Sequence, residues 1–291
     1  MATLKALKKR IAAVKKTRQI TKAMKMVAAA KLRRAQLNME RAKPYAENLK
    51  KVIAQLGAAV PREAHPLLAV RPQKRAMLIV ITSDRGLCGA FNVNIAKRAE
   101  HYIKENEGGH EEIELAVIGK KGREYFRFHG YDIAREYMEV LTEPTMDKAA
   151  EIGLEITGRY IDEGLDAAYV VYNEFKSAAK QEVVVERLLP IIPEEMGVEL
   201  GDTTVEFLYE PSQSTILSAI LPLYVNVRIY FAVLESLAAE MGARMTAMDL
   251  ATQNAEDMIA RLTLQFNRTR QAAITKELLE IVAGAEALKE R

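Results

Sequence analysis

A seven-residue apolar repeat runs through the first part of the chain without a glycine to interrupt it, and it leaves few options for folding. Every seventh residue from Leu4 gives Leu4, Ile11, Arg18, Lys25, Leu32, Met39, Ala46 and Ile53. The companion series from Leu7 is Leu7, Val14, Thr21, Ala28, Ala35, Ala42, Leu49 and Leu56. Two interleaved apolar series at this period form the seam of a coiled coil, sustained well beyond the roughly three to four repeats that identify one. Arg18, Thr21 and Lys25 break the seam, so the packed face must loosen or rotate there. Pro44 removes one backbone hydrogen bond and is expected to bend the helix locally.

The other end of the chain, from about Ser212 to Leu288, carries a second helical pattern. Pro211 after Glu210 suits a helix start, and Pro222 is expected to leave a bend. Leu234, Leu237, Met241, Met245, Met248, Ala255, Ile259, Leu262 and Phe266 then recur at helical steps and form one stripe. Between the helices the texture changes. Short β-branched runs at Ala76–Thr82, Leu115–Ile118, Ala168–Tyr172, Val183–Val185 and Val205–Tyr209 alternate with helical patterns such as Asn94–Lys104 and Met146–Asp162. That alternation predicts a largely parallel sheet. The expected class is α/β: a long antiparallel coiled coil of the N- and C-terminal helices plus a Rossmann-like domain. The expected divisions are a coiled-coil helix over 1–58, a linker over 59–74, the α/β domain over 75–210 and a second coiled-coil helix over 211–291.

Two long terminal helices joined through a compact domain pair most simply antiparallel. The second is the longer, and it overhangs its partner by about twenty residues, on the order of 30 Å. The overhang, from Arg270 onward, places Ala272, Ile274, Leu278, Leu279, Ile281 and Val282 on more than one face. A helix apolar on most sides is to be buried on most sides. Self-association, docking onto the α/β domain and insertion into a sleeve formed by another protein all satisfy that requirement.

Charge is distributed unevenly. The stretch from Lys5 to Lys51 holds sixteen cations, among them Arg10, Lys15, Arg18, Lys22, Lys25, Arg33 and Arg34, against Glu40 and Glu47 alone. The whole chain has a net charge of +3, so the remainder must be acidic. A solvated face ordinarily mixes both signs. A one-signed helix fits an acidic protein surface, nucleic acid or an anionic membrane. The acidic protein is preferred, because the charges interleave with the heptads instead of preceding them as in a basic zipper. The aromatic residues that stack single-stranded bases are also missing from it.

Candidate chemistry is thin. TSDRGLCGAFN, Thr82 to Asn92, lies between a strand and a helix, where phosphates often bind. Gly86 and Gly89 match neither dinucleotide nor phosphate-loop spacing, and no Lys follows the second glycine. Turn geometry explains these glycines better. Cys88 is the single cysteine, which rules out an internal disulfide and a cysteine-based zinc site. His65, His101, His110 and His129 show no metal-pair spacing, and Glu111–Glu112 and Glu194–Glu195 read as solvated loops. No cofactor or metal is expected. No apolar run is expected to reach the roughly 18 residues of a bilayer span. The basic N-terminus lacks the apolar core of a secretory signal and runs unbroken into the body, unlike a transit peptide. A soluble protein of the cell interior is expected.

Five segments resemble one family. They are ITKAMKMVAAAKLRRAQ (Ile20–Gln36), ITSDRGLCGAFN (Ile81–Asn92), LYEPS (Leu208–Ser212), ARMTAMDLATQNA (Ala243–Ala255) and RQAAITKELLEIVAGAEAL (Arg270–Leu288). Together, and in this order, they are similar to the gamma subunits of bacterial F-type ATP synthases. The last carries the family's I-T-x-E-x-x-E-x-x-x-G-A pattern in Ile274, Thr275, Glu277, Glu280, Gly284 and Ala285.

The resemblance implies a central rotor shaft with no active site of its own. It would couple proton-driven rotation of the membrane c-ring to ATP synthesis at the beta-subunit sites, and regulate ATPase activity and proton flow. The implied partners are the alpha, beta and epsilon subunits and the c-ring, with no nucleic acid. The implied location is peripheral, on the cytoplasmic face of the bacterial inner membrane. Arg270, Gln271, Thr275 and Glu277 match positions that meet the alpha–beta hexamer, and Met24 and Lys25 lie near the contact with acidic beta segments. Tyr209 and Glu210 match the foot that touches the ring and epsilon. Cys88 stands where the motif commonly has a small residue, and no cysteine-bearing insertion of the chloroplast type is present. A nucleic-acid-binding basic coiled coil is the alternative.

Overall fold

The computed structural model describes residues 4–58, 60–72, 74–106, 108–198 and 212–289. Two very long helices enclose the chain: α1 over Leu4–Ala58 and α5 over Gln213–Lys289. Both are continuous, with Pro44 inside α1 and Pro222 inside α5. The expected strand at Val205–Tyr209 and the helix start at Pro211 lie outside the described residues. The chain resolves into two compact units, one of Met1–Val27 with Met245–Arg291 and one of Ala28–Arg244.

The larger unit is built on a five-stranded sheet in the order β3-β2-β1-β4-β5. The strands are β1 Arg75–Ile81, β2 Glu112–Ile118, β3 Arg135–Tyr137, β4 Ala167–Phe175 and β5 Gln181–Leu189. The first four run parallel and β5 returns antiparallel to β4. Helices α2 (Phe91–Asn106), α3 (Lys120–Phe128) and α4 (Met146–Asp162) connect them. After β3 the chain crosses back over the sheet, and β4 joins the other side of β1. This reversal makes the sheet doubly wound and creates a crevice at the carboxyl ends of β1 and β4.

β1 explains why the sheet is covered on both faces. Met77, Ile79 and Ile81 point into one core with Ile152 and Ile156 of α4, Ile53 of α1 and Leu221 of α5. Leu78 and Val80 point into the other, with Ile95 of α2 and Phe126 of α3. A central parallel strand buried on both sides reads as an unbroken apolar run, which RAMLIVI is. Ile53 is fully buried, so Ile53→Ala is expected to cost about 2–5 kcal/mol.

The proline-rich stretch read as a linker is packed down. Leu67 and Leu68 are buried, Ile191 N donates to Leu67 O at 2.8 Å, and Tyr160 Oη donates to Ala69 O at 2.9 Å. The guanidinium of Arg71 also lies 4.7 Å from the Tyr160 ring centre. In addition, α5 contains one window long and apolar enough to cross a bilayer when up to two charges are allowed. Half of that window is buried within the fold, as in the core helix of a globular domain.

Candidate functional site

The crevice beside β1 is where a doubly wound sheet would hold a ligand. Here its polar groups are engaged with one another. Thr82 and Ser83 are fully buried at the end of β1. The Thr82 hydroxyl donates to Ile118 O at 2.9 Å and accepts from Gly122 N at 2.8 Å. Ser83 N donates to Asn92 Oδ1 at 2.9 Å, and Ser83 Oγ donates to Arg85 O at 2.6 Å. Asp84 accepts from Lys120 N and from Thr142 Oγ1, each at 3.1 Å, while Lys121 N donates to Ser83 O at 3.0 Å. The backbone donors of Ser83, Lys120, Lys121 and Gly122, which would cradle a phosphate, are therefore all in use. Leu87 and Gly89 adopt left-handed φ values of 64° and 59°, so tight turning accounts for the second glycine.

Arg244 of α5 closes the crevice from the other side. Its Nη2 donates to Arg85 O at 3.3 Å and Gly86 O at 3.1 Å and pairs with Glu240 at 2.7 Å. Both side chains are nearly buried. Burial pushes the Glu240 carboxyl above the usual range, and Arg244 opposes that shift. Cys88 is buried in the same turn, and Asn92 Nδ2 donates to its sulfur at 3.3 Å. Desolvation raises its pKa, the opposite of what a reactive thiolate needs. Among the described residues, no group of three or more His, Cys, Asp or Glu is arranged to hold a metal ion.

The exposed chemistry lies on the helices. In the smaller unit, α1 and α5 pair antiparallel: Lys25 Nζ meets Asp249 Oδ1 at 2.6 Å, and Arg18 Nη1 meets Glu256 Oε1 at 3.8 Å. Between these pairs the Thr21 and Thr252 hydroxyls lie 2.8 Å apart, both residues buried. The interruption in the α1 seam is thus a polar layer matched by a polar layer on α5. Sequence reading missed Thr252, Asp249 and Glu256, although the seven-residue spacing of the two acids repeats that of Arg18 and Lys25.

Among the described residues, Arg10, Lys15 and Lys22 are exposed and make no ion pair; Arg18, Met24 and Lys25 are half-exposed. Arg33 and Arg34, in the larger unit, are exposed and likewise make no ion pair among the described residues. The register set by these contacts places Leu4 opposite Arg270, so α5 continues beyond the end of α1. Ile274, Leu278, Leu279, Ile281 and Val282 are 49–67% exposed there. Arg270, Gln271, Thr275 and Glu277 are exposed on the same stretch, with the Thr275 hydroxyl donating to Gln271 O at 3.0 Å. Tyr209 and Glu210 lie outside the described residues.

Comparison with known proteins gives a consistent result. A family model described as ATP synthase matches residues 3–288. The chain is 50% identical over 293 residues to an ATP synthase gamma chain of Anaeromyxobacter, covering 99% of this chain and all of that one. It is 47% identical over 289 residues to the gamma chain of Trichlorobacter lovleyi, with the same coverage. Among solved structures, it is similar to a chain in the central stalk and c-ring of Tetrahymena thermophila mitochondrial ATP synthase. That match has a TM-score of 0.61 and 25% identity, over 80% of this chain and 99% of the other. A chain from Euglena gracilis mitochondrial ATP synthase shares the fold at a TM-score of 0.69 and 21% identity, over 98% and 94%.

Proposed function

The chain belongs to the ATP synthase gamma-chain family, and we propose that it performs the central-stalk role through the helical surfaces described above. A gamma chain is a non-catalytic rotor subunit of a membrane-associated synthase. In our reading, the paired helices stand inside an alpha–beta hexamer, and their asymmetry cycles the catalytic beta sites as the c-ring turns. Arg10, Lys15, Arg18, Lys22, Met24, Lys25, Arg33 and Arg34 face acidic segments of the hexamer. Arg270, Gln271, Thr275 and Glu277 meet it at the tip of α5. Tyr209 and Glu210 contact the c-ring and epsilon subunit. The complex sits on the cytoplasmic face of the plasma membrane.

The observation that carries this reading is the α5 overhang: apolar side chains exposed on several faces of a helix that has run past its partner. Insertion into a sleeve would cover it, since this much apolar surface in water favours association. No match favours the nucleic-acid alternative. Mixing the chain with alpha and beta subunits is expected to give a stable complex that hydrolyses ATP, while the isolated chain hydrolyses none. Failure to co-purify with them would end the proposal.

A further inference from the structure

Toward the amino end of β4, the opposite end of the sheet from the crevice, the larger unit has a cleft of about 210 Å³. Lys50 of α1, the last residues of β5, the turn that follows them, and Tyr224 and Arg228 of α5 line it. Its acids are already engaged. Glu186 Oε1 accepts from Arg228 Nε at 2.9 Å and from Arg228 Nη2, and Glu186 Oε2 accepts from the Tyr172 hydroxyl at 3.1 Å. Glu195 pairs with Arg187.

The donors are not all engaged. The Lys50 ammonium is half-buried and forms no ion pair among the described residues. Arg228 Nη1 has no acceptor among them, the other two nitrogens being held by Glu186. Tyr224 is 8% exposed, and its hydroxyl likewise has no hydrogen-bond partner among them. Burial raises the Tyr224 pKa above the ordinary tyrosine value, so the hydroxyl remains a donor at neutral pH. Donors held this far from bulk water keep a hydrogen-bonding capacity that a ligand acceptor can meet. Lys50, Arg187 and Arg228 face Glu186 and Glu195 across the cleft, so one positive charge is left uncompensated. The rest of the wall is apolar: Leu188, Pro190, Ile191, Ile192 and Met196. The crevice beside β1 has the contrary arrangement, with its backbone donors taken up internally.

We propose that this cleft binds a small organic carboxylate, with the anionic end on Lys50, Arg228 Nη1 and the Tyr224 hydroxyl and the hydrocarbon body against Leu188, Ile191 and Met196. One spare charge suits a monoanion better than a phosphate dianion, and the apolar wall returns binding energy only to a hydrocarbon. The cleft is smaller than the roughly 300–1,000 Å³ of sites for drug-sized ligands, which limits the occupant to about one ring or a short chain. Such a ligand would bridge α1, β5 and α5. The site uses none of the surfaces assigned to partners above, so it stands whether or not the rotor reading does.

The test is a titration of the full chain, with isotope-labelled Ile and Met methyl groups, followed by NMR. Benzoate is the probe; benzamide, which has the same ring without the charge, and inorganic phosphate are the controls. Benzoate is expected to shift the Ile191, Ile192 and Met196 methyl signals saturably, with a Kd of about 1 mM, in keeping with a ligand this small. Benzamide and phosphate should each bind at least about tenfold more weakly, and Lys50→Gln should weaken benzoate by about tenfold. Tyr224→Phe should weaken it by about threefold or more. Methyl signals remote from the cleft report whether each variant keeps the native fold, and Lys50→Gln, at a half-buried position, decides the matter if Tyr224→Phe does not. The absence of saturable shifts at the three methyl groups overturns the proposal. So does benzamide or phosphate binding as tightly as benzoate, or an unchanged benzoate affinity in folded Lys50→Gln.

Discussion

Glu235 of α5 keeps one carboxylate oxygen buried without a hydrogen-bond partner, and burial, helped by Glu174, pushes its pKa from 4.5 up to about 7. Arg228 and Lys176 offset only part of that shift, and Glu186 adds to it. The folded state therefore binds a proton between pH 4.5 and about 7 that the unfolded chain releases, so this group's contribution to stability falls as pH rises through that window. Glu235→Gln is expected to flatten the dependence and to stabilise the chain by about 1 kcal/mol at pH 8, read from urea midpoints. Gly119 makes a second test. It has φ +96°, and a Cβ there would overlap the Thr82 carbonyl oxygen. Gly119→Ala should cost about 2 kcal/mol or more in the same assay. Neither residue stood out in the sequence, because each is defined by what the fold brings against it: Glu174 lies on β4 and Thr82 directly follows β1.

At the scale of elements, legibility followed length and period. The helices and the β1 run were plain because a repeat sustained over many turns, or a strand buried on both faces, leaves little ambiguity. α3 and β3 went unread. KKGREYFRF holds a mid-helix glycine that lowers helix propensity, and its real cause is the close approach of Thr82 to Gly122. β3 has three residues, too few to show a period. β5 was visible only as Val183–Val185 because most of its residues are half-exposed on both faces. The α5 overhang was legible by subtracting one helix length from the other, and the register of the ion pairs now fixes where it begins. Deleting the residues after Arg270 is therefore expected to leave the melting temperature of the isolated chain within about 1 °C, since surface positions contribute little. Assembly with alpha and beta subunits should weaken at least tenfold. A lower melting point would show that the overhang packs on its own chain.

For the whole molecule the decisive property is how charge is partitioned. With sixteen cations against two acids between Lys5 and Lys51 and a net charge of +3 overall, the rest of the chain carries an excess of eleven acids. Basic and acidic parts of one chain ordinarily find each other, yet among the described residues only Arg18, Lys25 and Lys43 of those sixteen cations form ion pairs. Lys43 pairs within its own helix, with Glu47. The sequence showed the imbalance but not which cations were already neutralised, because that depends on the register against α5. The unpaired cations cost the fold repulsion without returning internal contacts, which is sensible for a surface that steers a partner. Replacing Arg10, Lys15, Lys22 and Arg33 together with Gln should leave thermal stability unchanged or slightly raised, because each is exposed and unpaired. The rate of association with the alpha–beta hexamer should fall about tenfold at low salt and lose most of its salt dependence, as expected when long-range attraction is removed. Stopped-flow mixing over a range of ionic strengths separates the outcomes. A variant that associates at the native rate, with the native salt slope, would assign the steering to the acidic remainder of the chain and not to α1.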